Sequence, residues 1–482
     1  MVSTKIHADL RILATSDVHM HVTGWDALRD VAVPGRGMDL LASSIADARH
    51  AAPGQCLLVD NGDALQGTPL GNTCVEMDAP HPWPGILNAL DYDAVGLGNH
   101  DFDFGLPFLE HVVSQIAAPV LCSSIMRGAV AGVAGTTILR RTVTCSDGGE
   151  REVSIGVASV LPPQTSIWCH RHLAGRLRFD DGVAAARRAV RALRRNGADI
   201  VLVLCHSGLS QIGGAGAENF AVDMAAKVRG IDAMVLGHTH GLFPATAHDG
   251  GPKTNPDKAT VHGVPAVMPG FAAQALGVID LGLRWSDAGW RVASHGVALH
   301  TPRSRQVPDP AIRALTAPAI AATRAALDTE HGRSRVGFHS YFEMLQSGAS
   351  SALVAGAMKR AISAHVANTE LAALPLIASI APMALGGIAG PGNYVNVPAG
   401  VIRERHVAML TPYPNAVWAA VMRGRDLRLW AERAAAFFAP ETGRLSPLVN
   451  GAAPFYNFDS LHGLHTVIDP FAPARFAPCG AD

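Results

Sequence analysis

The sequence predicts an α/β sandwich followed by a smaller α+β domain. Three observations carry that reading. Across the first three hundred of 482 residues, short apolar runs alternate with helix-forming stretches; the runs are apolar on both faces; and the pattern changes near Val307. Alternation of this kind builds layered α/β structures, and strands apolar on both faces are strands buried between layers.

The clearest strands are Leu10–Thr15, Cys56–Asp60, Ala94–Leu97, Val201–Cys205 and Ala233–Leu236. Met38–His50 and Gly182–Asn196 read as helices, the second with arginines on one side and alanine, valine and leucine on the other. These elements define a first domain over 1–307. A connecting helix is expected within 308–334, where Pro308-Asp309-Pro310 opens an alanine-rich run over Ala311–Thr329. The second domain, 335–482, carries two helical stretches, Ser347–Ala367 and Gly424–Phe438, with several short strands. Residues 371–401 are uncharged, but Pro375, Pro382, Gly386, Gly387, Pro391 and Gly392 interrupt them. That excludes a lipid-exposed span and leaves a buried strand with a glycine-rich turn.

Composition narrows the function classes. Hydrophobic residues make up 48% and charged residues 16%, so most of the chain packs. A formal net charge of -1 offers no field for a nucleic-acid polymer or an anionic membrane. A small anionic substrate stays open, because a metal site supplies its own positive charge. The cysteine count of 7 is odd and contains no C-x-x-C pair, which points to reduced core thiols. No apolar leader precedes the first strand, so the chain as encoded is expected in the cytoplasm.

The chemistry lies where strands end. Asp17-Val18-His19 follows the first strand, Gly62-Asp63 the second, Gly98-Asn99-His100-Asp101 the third, His206 the fourth and Gly237-His238-Thr239-His240 the fifth. Carboxyl ends of strands in layered α/β folds converge on one crevice, so these residues are expected to meet. Imidazole mixed with carboxylate suits Zn, Mn, Fe or Co better than Mg or Ca. Asp17 and His19, like His238 and His240, are two apart and would point the same way on an extended backbone.

The ordered set D-x-H, G-D, G-N-H-D, H and G-H-x-H resembles the calcineurin-like metallophosphoesterase superfamily. DNGDALQGTPL, LGNHDFDFGL, CHSGLS, PAVMPG and, in the second domain, YNFDSLHGLHTVID resemble its bacterial 5'-nucleotidase branch. The resemblance implies a four-layer α/β/β/α sandwich. It also implies two divalent ions, one held by Asp17, His19, Asp63 and His240, the other by Asp63, Asn99, His206 and His238. Asp63 would bridge them, and a hydroxide shared between the ions would attack phosphorus in line. His100 would stabilise charge on the transition state or leaving oxygen, with Asp101 orienting its imidazole.

The implied function is hydrolysis of nucleotide phosphate esters in nucleotide catabolism: 2',3'-cyclic nucleotides and 3'-nucleotides first, 5'-nucleotides or another small phosphate ester second. A catalytically weak metal-binding protein is the third reading. Tyr456, as an aromatic wall, and Asp459, as its polar partner, are the substrate-binding candidates implied in a second domain that looks shortened. Ile388 stands where relatives often place an arginine, and His21 where an asparagine is common. The resemblance also makes a periplasmic location the alternative compartment.

Overall fold

The computed structural model describes residues 6–477, apart from 53–55, 78–79, 210–216, 246–252, 288, 304–305, 383, 387–391, 413–414, 439–447 and 450–457. The chain divides into two compact units, Met1–Thr323 and Arg324–Asp482.

Unit one is built on two sheets. In the first, the order is Gly289–His300, Leu276–Ser286, His7–Thr15, Cys56–Asp60, Ala94–Gly96, Val120–Leu121 and Val133–Ala134. In the second it runs Thr254–Asn255, Thr260–Val261, Val264–Pro269, Ala233–Leu236, Ile200–Cys205, Glu150–Val160 and Thr136–Thr144, with Leu242–Phe243 beside Val264–Pro269. The middle strands are parallel: His7–Thr15 pairs that way with Cys56–Asp60, and Ile200–Cys205 with Ala233–Leu236.

Period-two alternation explains how the sheets stack. On Ile200–Cys205, residues Ile200, Leu202 and Leu204 join one core, where they meet Ile12, Ala14, Val59 and Ala94 of the other sheet. Val201, Val203 and Cys205 enter a different core, under the helices Gly182–Arg195 and Ala221–Lys227. Leu13, Leu58 and Val95 face a third core, with Met38–His50, Pro82–Ala89 and Leu106–Val113 over it. Three cores separated by two sheets make a four-layer α/β/β/α sandwich, the architecture that the family resemblance implies.

The five strands read from the sequence are present, as are helices at Met38–His50 and Gly182–Arg195. Asp181 accepts a hydrogen bond from Ala184 N–H at 2.9 Å and starts the second of these. The long antiparallel pair Leu276–Ser286 and Gly289–His300 did not stand out in the sequence. Its second strand is largely half-exposed or exposed, so it lacks the continuous apolar run of a buried strand. The segment 308–334 is helical only over Pro310–Leu327, started by Asp309, which accepts from Ala311 N–H at 2.8 Å. Glu330–Ser334 is instead a strand paired with Gly400–Arg403, so it belongs to unit two.

Among its described residues, unit two contains the helices Ala349–Val366 and Gly424–Ala435 and three two-stranded sheets. Among the described residues no helix is long and apolar enough to cross a membrane.

Candidate metal centre

The ends of Thr15, Asp60, Gly96, Cys205 and Leu236 deliver the polar motifs to one place. His206 Nε2 lies 3.0 Å from Asp63 Oδ2 and 3.9 Å from Asp17 Oδ1. His19 Nε2 is 3.9 Å from Asp63 Oδ2 and 3.0 Å from His240 Nε2. His240 Nε2 is 3.7 Å from Asp17 Oδ1. Two groups of candidate ligands emerge, Asp17-His19-His240 and Asp63-His206-His238, with ligand atoms in each within 4.8 Å of one another. Asp63 approaches members of both groups.

The backbone at these positions is not extended. Asp17, His19, Asp63, His238 and His240 all have positive φ, between 49° and 71°. The expected extended backbone is therefore absent: Asp17 and His19 do share a group, but His238 and His240 do not. The strands stop at Thr15 and Leu236, and left-handed turns begin. His238 and His240 consequently serve different groups. Asp and His are among the side chains that tolerate this region, and its cost is commonly held at functional sites. Close approach also demands glycine: a Cβ at Gly98 would fall on the Asp63 carboxylate, and one at Gly237 would meet Asp17 Oδ2 at 2.6 Å.

Hydrogen bonds fix the imidazole tautomers. His19 Nδ1 contacts the Gln66 carbonyl at 2.6 Å, and His206 Nδ1 contacts the Asn61 carbonyl at 2.8 Å. A carbonyl can only accept, so each Nδ1 carries a proton and each Nε2 is the nitrogen turned toward the cluster, able to offer its lone pair to a cation. His238 Nε2 is 2.8 Å from Glu218 Oε1, which leaves Nδ1 as its free nitrogen. Outer carbonyls and carboxylates of this kind orient metal-bound histidines.

Whether the residues fit a cation is answered by three buried atoms. Asp63 Oδ2, Asn99 Oδ1 and His206 Nε2 lack a well-aligned hydrogen bond, although the first and third approach to 3.0 Å. Each would cost about 1–3 kcal/mol if left so. One electropositive centre satisfies all three, and the mixed nitrogen and oxygen set suits a borderline divalent metal.

Electrostatics point the same way. Burial opposes charge on His206, but the carboxylates of Asp63 and Asp17 outweigh it and push the imidazole up to about 10. Burial likewise opposes charge on Asp63, yet the imidazoles of His206 and His100 hold it well below the usual carboxylate range. A cavity that stabilises positive charge this strongly would stabilise a cation in its place.

His100 sits at the rim, its ring centroid 5.5 Å from that of His19. Its Nδ1 bonds to Asp103 Oδ2 at 2.7 Å, not to Asp101. This corrects the role expected for Asp101. His100–Phe102 is a single 3₁₀ turn, in which i and i+3 eclipse while i+1 points away. Asp101 faces inward: its carboxylate accepts from the backbone N–H groups of Asp63 and Gly98 at 2.9 and 2.8 Å, and of Ala64 and Leu65 at 3.0 and 3.2 Å. Asp103 went unnoticed, although the i, i+3 spacing of His100 and Asp103 in H-D-F-D was a usable signal. Glu218 carried no such signal, being remote from any motif.

A sequence profile of calcineurin-like phosphoesterases matches residues 10–242, which contain all seven candidate ligands. Over 99% of its length the chain is 32% identical to the 2',3'-cyclic-nucleotide 2'-phosphodiesterase/3'-nucleotidase of Haemophilus influenzae, and it covers 75% of that protein. The chain belongs to the calcineurin-like phosphoesterase family. Metallophosphoesterases of this family use divalent metals, and the two ligand groups above are the candidates to hold them. The trifunctional nucleotide phosphoesterase YfkN of Bacillus subtilis is 32% identical over 97% of the chain, which spans 33% of that longer protein. A crystal structure of the YfkN calcineurin-like phosphoesterase superposes with a TM-score of 0.63, at 32% identity, over 66% of this chain and 98% of that one. A putative 5'-nucleotidase from Staphylococcus aureus shares the fold over 94% of this chain and 82% of its own, with a TM-score of 0.69 at 20% identity.

The remaining candidates lie elsewhere. His21 contacts the Val18 carbonyl through Nδ1, at 3.1 Å, and packs edge-to-face with Phe271. Asp459 accepts from Ser379 Oγ at 3.0 Å and Trp430 Nε1 at 2.9 Å, tying a strand and a helix of unit two together. Tyr456 and Ile388 lie outside the described residues.

Proposed function

We propose that this phosphoesterase hydrolyses 2',3'-cyclic nucleotides and 3'-nucleotides, with one divalent ion on Asp17, His19, Asp63 and His240 and a second on Asp63, Asn99, His206 and His238. The observation that carries the reading is the convergence of three buried polar atoms without well-aligned hydrogen bonds, Asp63 Oδ2, Asn99 Oδ1 and His206 Nε2, from strand ends of both sheets. Sequence similarity over nearly the whole chain to enzymes of that activity from Haemophilus influenzae and Salmonella typhimurium supports the substrate.

Bound ions would lower the pKa of water and neutralise phosphoryl oxygens. The protein's own part is to aim and to move protons. His19 and His206 turn lone pairs inward because carbonyls hold their opposite nitrogens. His100 donates its Nδ1 proton to Asp103, so Nε2 is the nitrogen directed at substrate. Without metal, burial works against a charge on His100, but Asp63 and Asp103 raise it to about 9; with Asp63 taken up by cations, Asp103 is the carboxylate that would keep a proton on the ring. A cationic donor there neutralises the leaving oxygen and protonates it. Tyr456 remains the proposed aromatic wall for the nucleoside. Asp459 is proposed there only as support, since it already braces two elements.

A second reading, 5'-nucleotide hydrolysis, draws on 30% identity to the 5'-nucleotidase of Bos taurus over 48% of the chain. Elemental analysis of purified protein, with a panel of 2',3'-cAMP, 3'-AMP, 5'-AMP and bis-p-nitrophenyl phosphate, tests both. Two equivalents of transition metal and a preference for the first two nucleotides are expected. A preference for 5'-AMP selects the second reading. Turnover no faster than the metal-stripped protein sinks both and leaves a metal-binding protein.

A further inference from the structure

Beside the candidate centre, the short helix Thr165–Trp168 presents two large apolar side chains to solvent, Ile167 at 71% and Trp168 at 46% exposure. The helix is held firmly. Thr165 Oγ1 donates to the Pro162 carbonyl at 2.7 Å, and the Cys169 thiol that follows contacts Asp103 Oδ1 at 3.2 Å and the Asn99 carbonyl at 3.6 Å. The segment is thus fastened to the same turn that carries Asn99 and His100. From there the Trp168 indole stacks on the ring of His238, with centroids 5.6 Å apart and planes 22° from parallel. Stacking covers one face of the indole. The exposure shows that much of the rest is open to water, at the edge of the ligand cluster.

Leaving an indole uncovered has a hydrophobic cost, and a fixed indole is a ready surface for another ring. Bases stack on such platforms whatever their identity, because each presents a π face.

We propose that Trp168 is a specificity-determining platform of the catalytic unit, on which the nucleobase of the substrate stacks while its phosphate occupies the site of Asp63 and Asn99. The assignment rests on the phosphoesterase reading above and adds to it a preference for phosphate esters of ring-bearing leaving groups over aliphatic ones. The platform belongs to the unit that holds the ligands, unlike the aromatic wall proposed at Tyr456.

Two measurements test this. The first compares kcat/KM for 3'-AMP and glycerol 2-phosphate in the wild type, Trp168→Ala and Trp168→Phe. The ratio of the two substrates should fall about tenfold in the alanine variant and stay within about threefold in the phenylalanine variant. An equal loss on both substrates would make Trp168 a buttress of His238 and overturn the proposal, as would no loss. The second titrates metal-stripped protein with adenosine and follows tryptophan fluorescence. Saturable quenching present in the wild type and absent in Trp168→Phe supports the platform. Quenching that survives the substitution, or quenching absent from both proteins, rejects it. Should the wild type hydrolyse neither ester, the phosphoesterase reading fails, while the quenching result still decides whether Trp168 receives a base.

Discussion

The two units differ in how they spend their apolar residues. Unit one packs three cores between and around two sheets, with Leu13, Leu58, Val203, Leu204 and Leu236 all fully buried. Unit two has only small clusters among its described residues: Phe437, Phe438 and Phe458; Phe338, Val395 and Val397; Ala355, Ala378 and Ile380. Meanwhile Trp418 is 88% exposed, and Val421 and Phe471 are also open to water. Burial of this kind is the main favourable term in folding. The contrast teaches that the candidate metal centre stands on the part of the chain with the deepest cores. Unit two has little burial to resist local opening.

The sharpest break in the comparison comes from the shared ligand. Asp63→Asn should remove both ions and lower kcat by on the order of 10³ or more, while the far-ultraviolet circular dichroism of unit one stays native. If metal content survived, the bridging assignment would fall. Next in size is Asp103→Asn, which should cost about 10–100-fold in kcat with metal content unchanged, as outer partners of catalytic histidines do. An unchanged rate would return the orienting role to another group.

Core substitution sharpens the contrast in stability. Leu202→Ala, in the layer between the sheets, should cost about 2–5 kcal/mol and lower the main calorimetric transition. Trp418→Ser should shift it by less than about 0.5 kcal/mol. A large loss from Trp418→Ser would show that unit two buries this side chain against something in solution.

A smaller effect concerns pH. His206 is raised from the ordinary 6.5 to about 10. Its contribution in metal-stripped protein is full below pH 6.5 and is lost as pH climbs through about 10. Stripped protein should therefore lose melting temperature between pH 7 and 10. Metal-loaded protein should not, because the cation has already displaced that proton. Identical pH profiles for the two forms would contradict a metal at His206.

How much of this was legible in the sequence follows from the type of signal. The parallel strands could be read because burial on both faces forces a continuous apolar run, as in Ile200–Cys205. The seven candidate ligand positions stand out because each follows closely on such a run. Gly289–His300, with one face toward solvent, has no such mark, and the strands of unit two are only two to five residues long, too short for any period to show. Within the site the family resemblance pointed to Asp101 as the partner of His100. The 3₁₀ turn decides otherwise, and turn geometry at single-residue precision is not encoded in spacing alone.

Asp101 acts on the main chain of the site. One carboxylate receives four main-chain amides, three from the turn after Asp60 and one from the turn after Gly96. Two loops that are remote in sequence are thereby clamped as a single rigid piece. The gap between Asp63 and Asn99 is consequently set by main chain rather than by rotamer choice, and a substitution on the outer surface of either loop has little leverage to widen it.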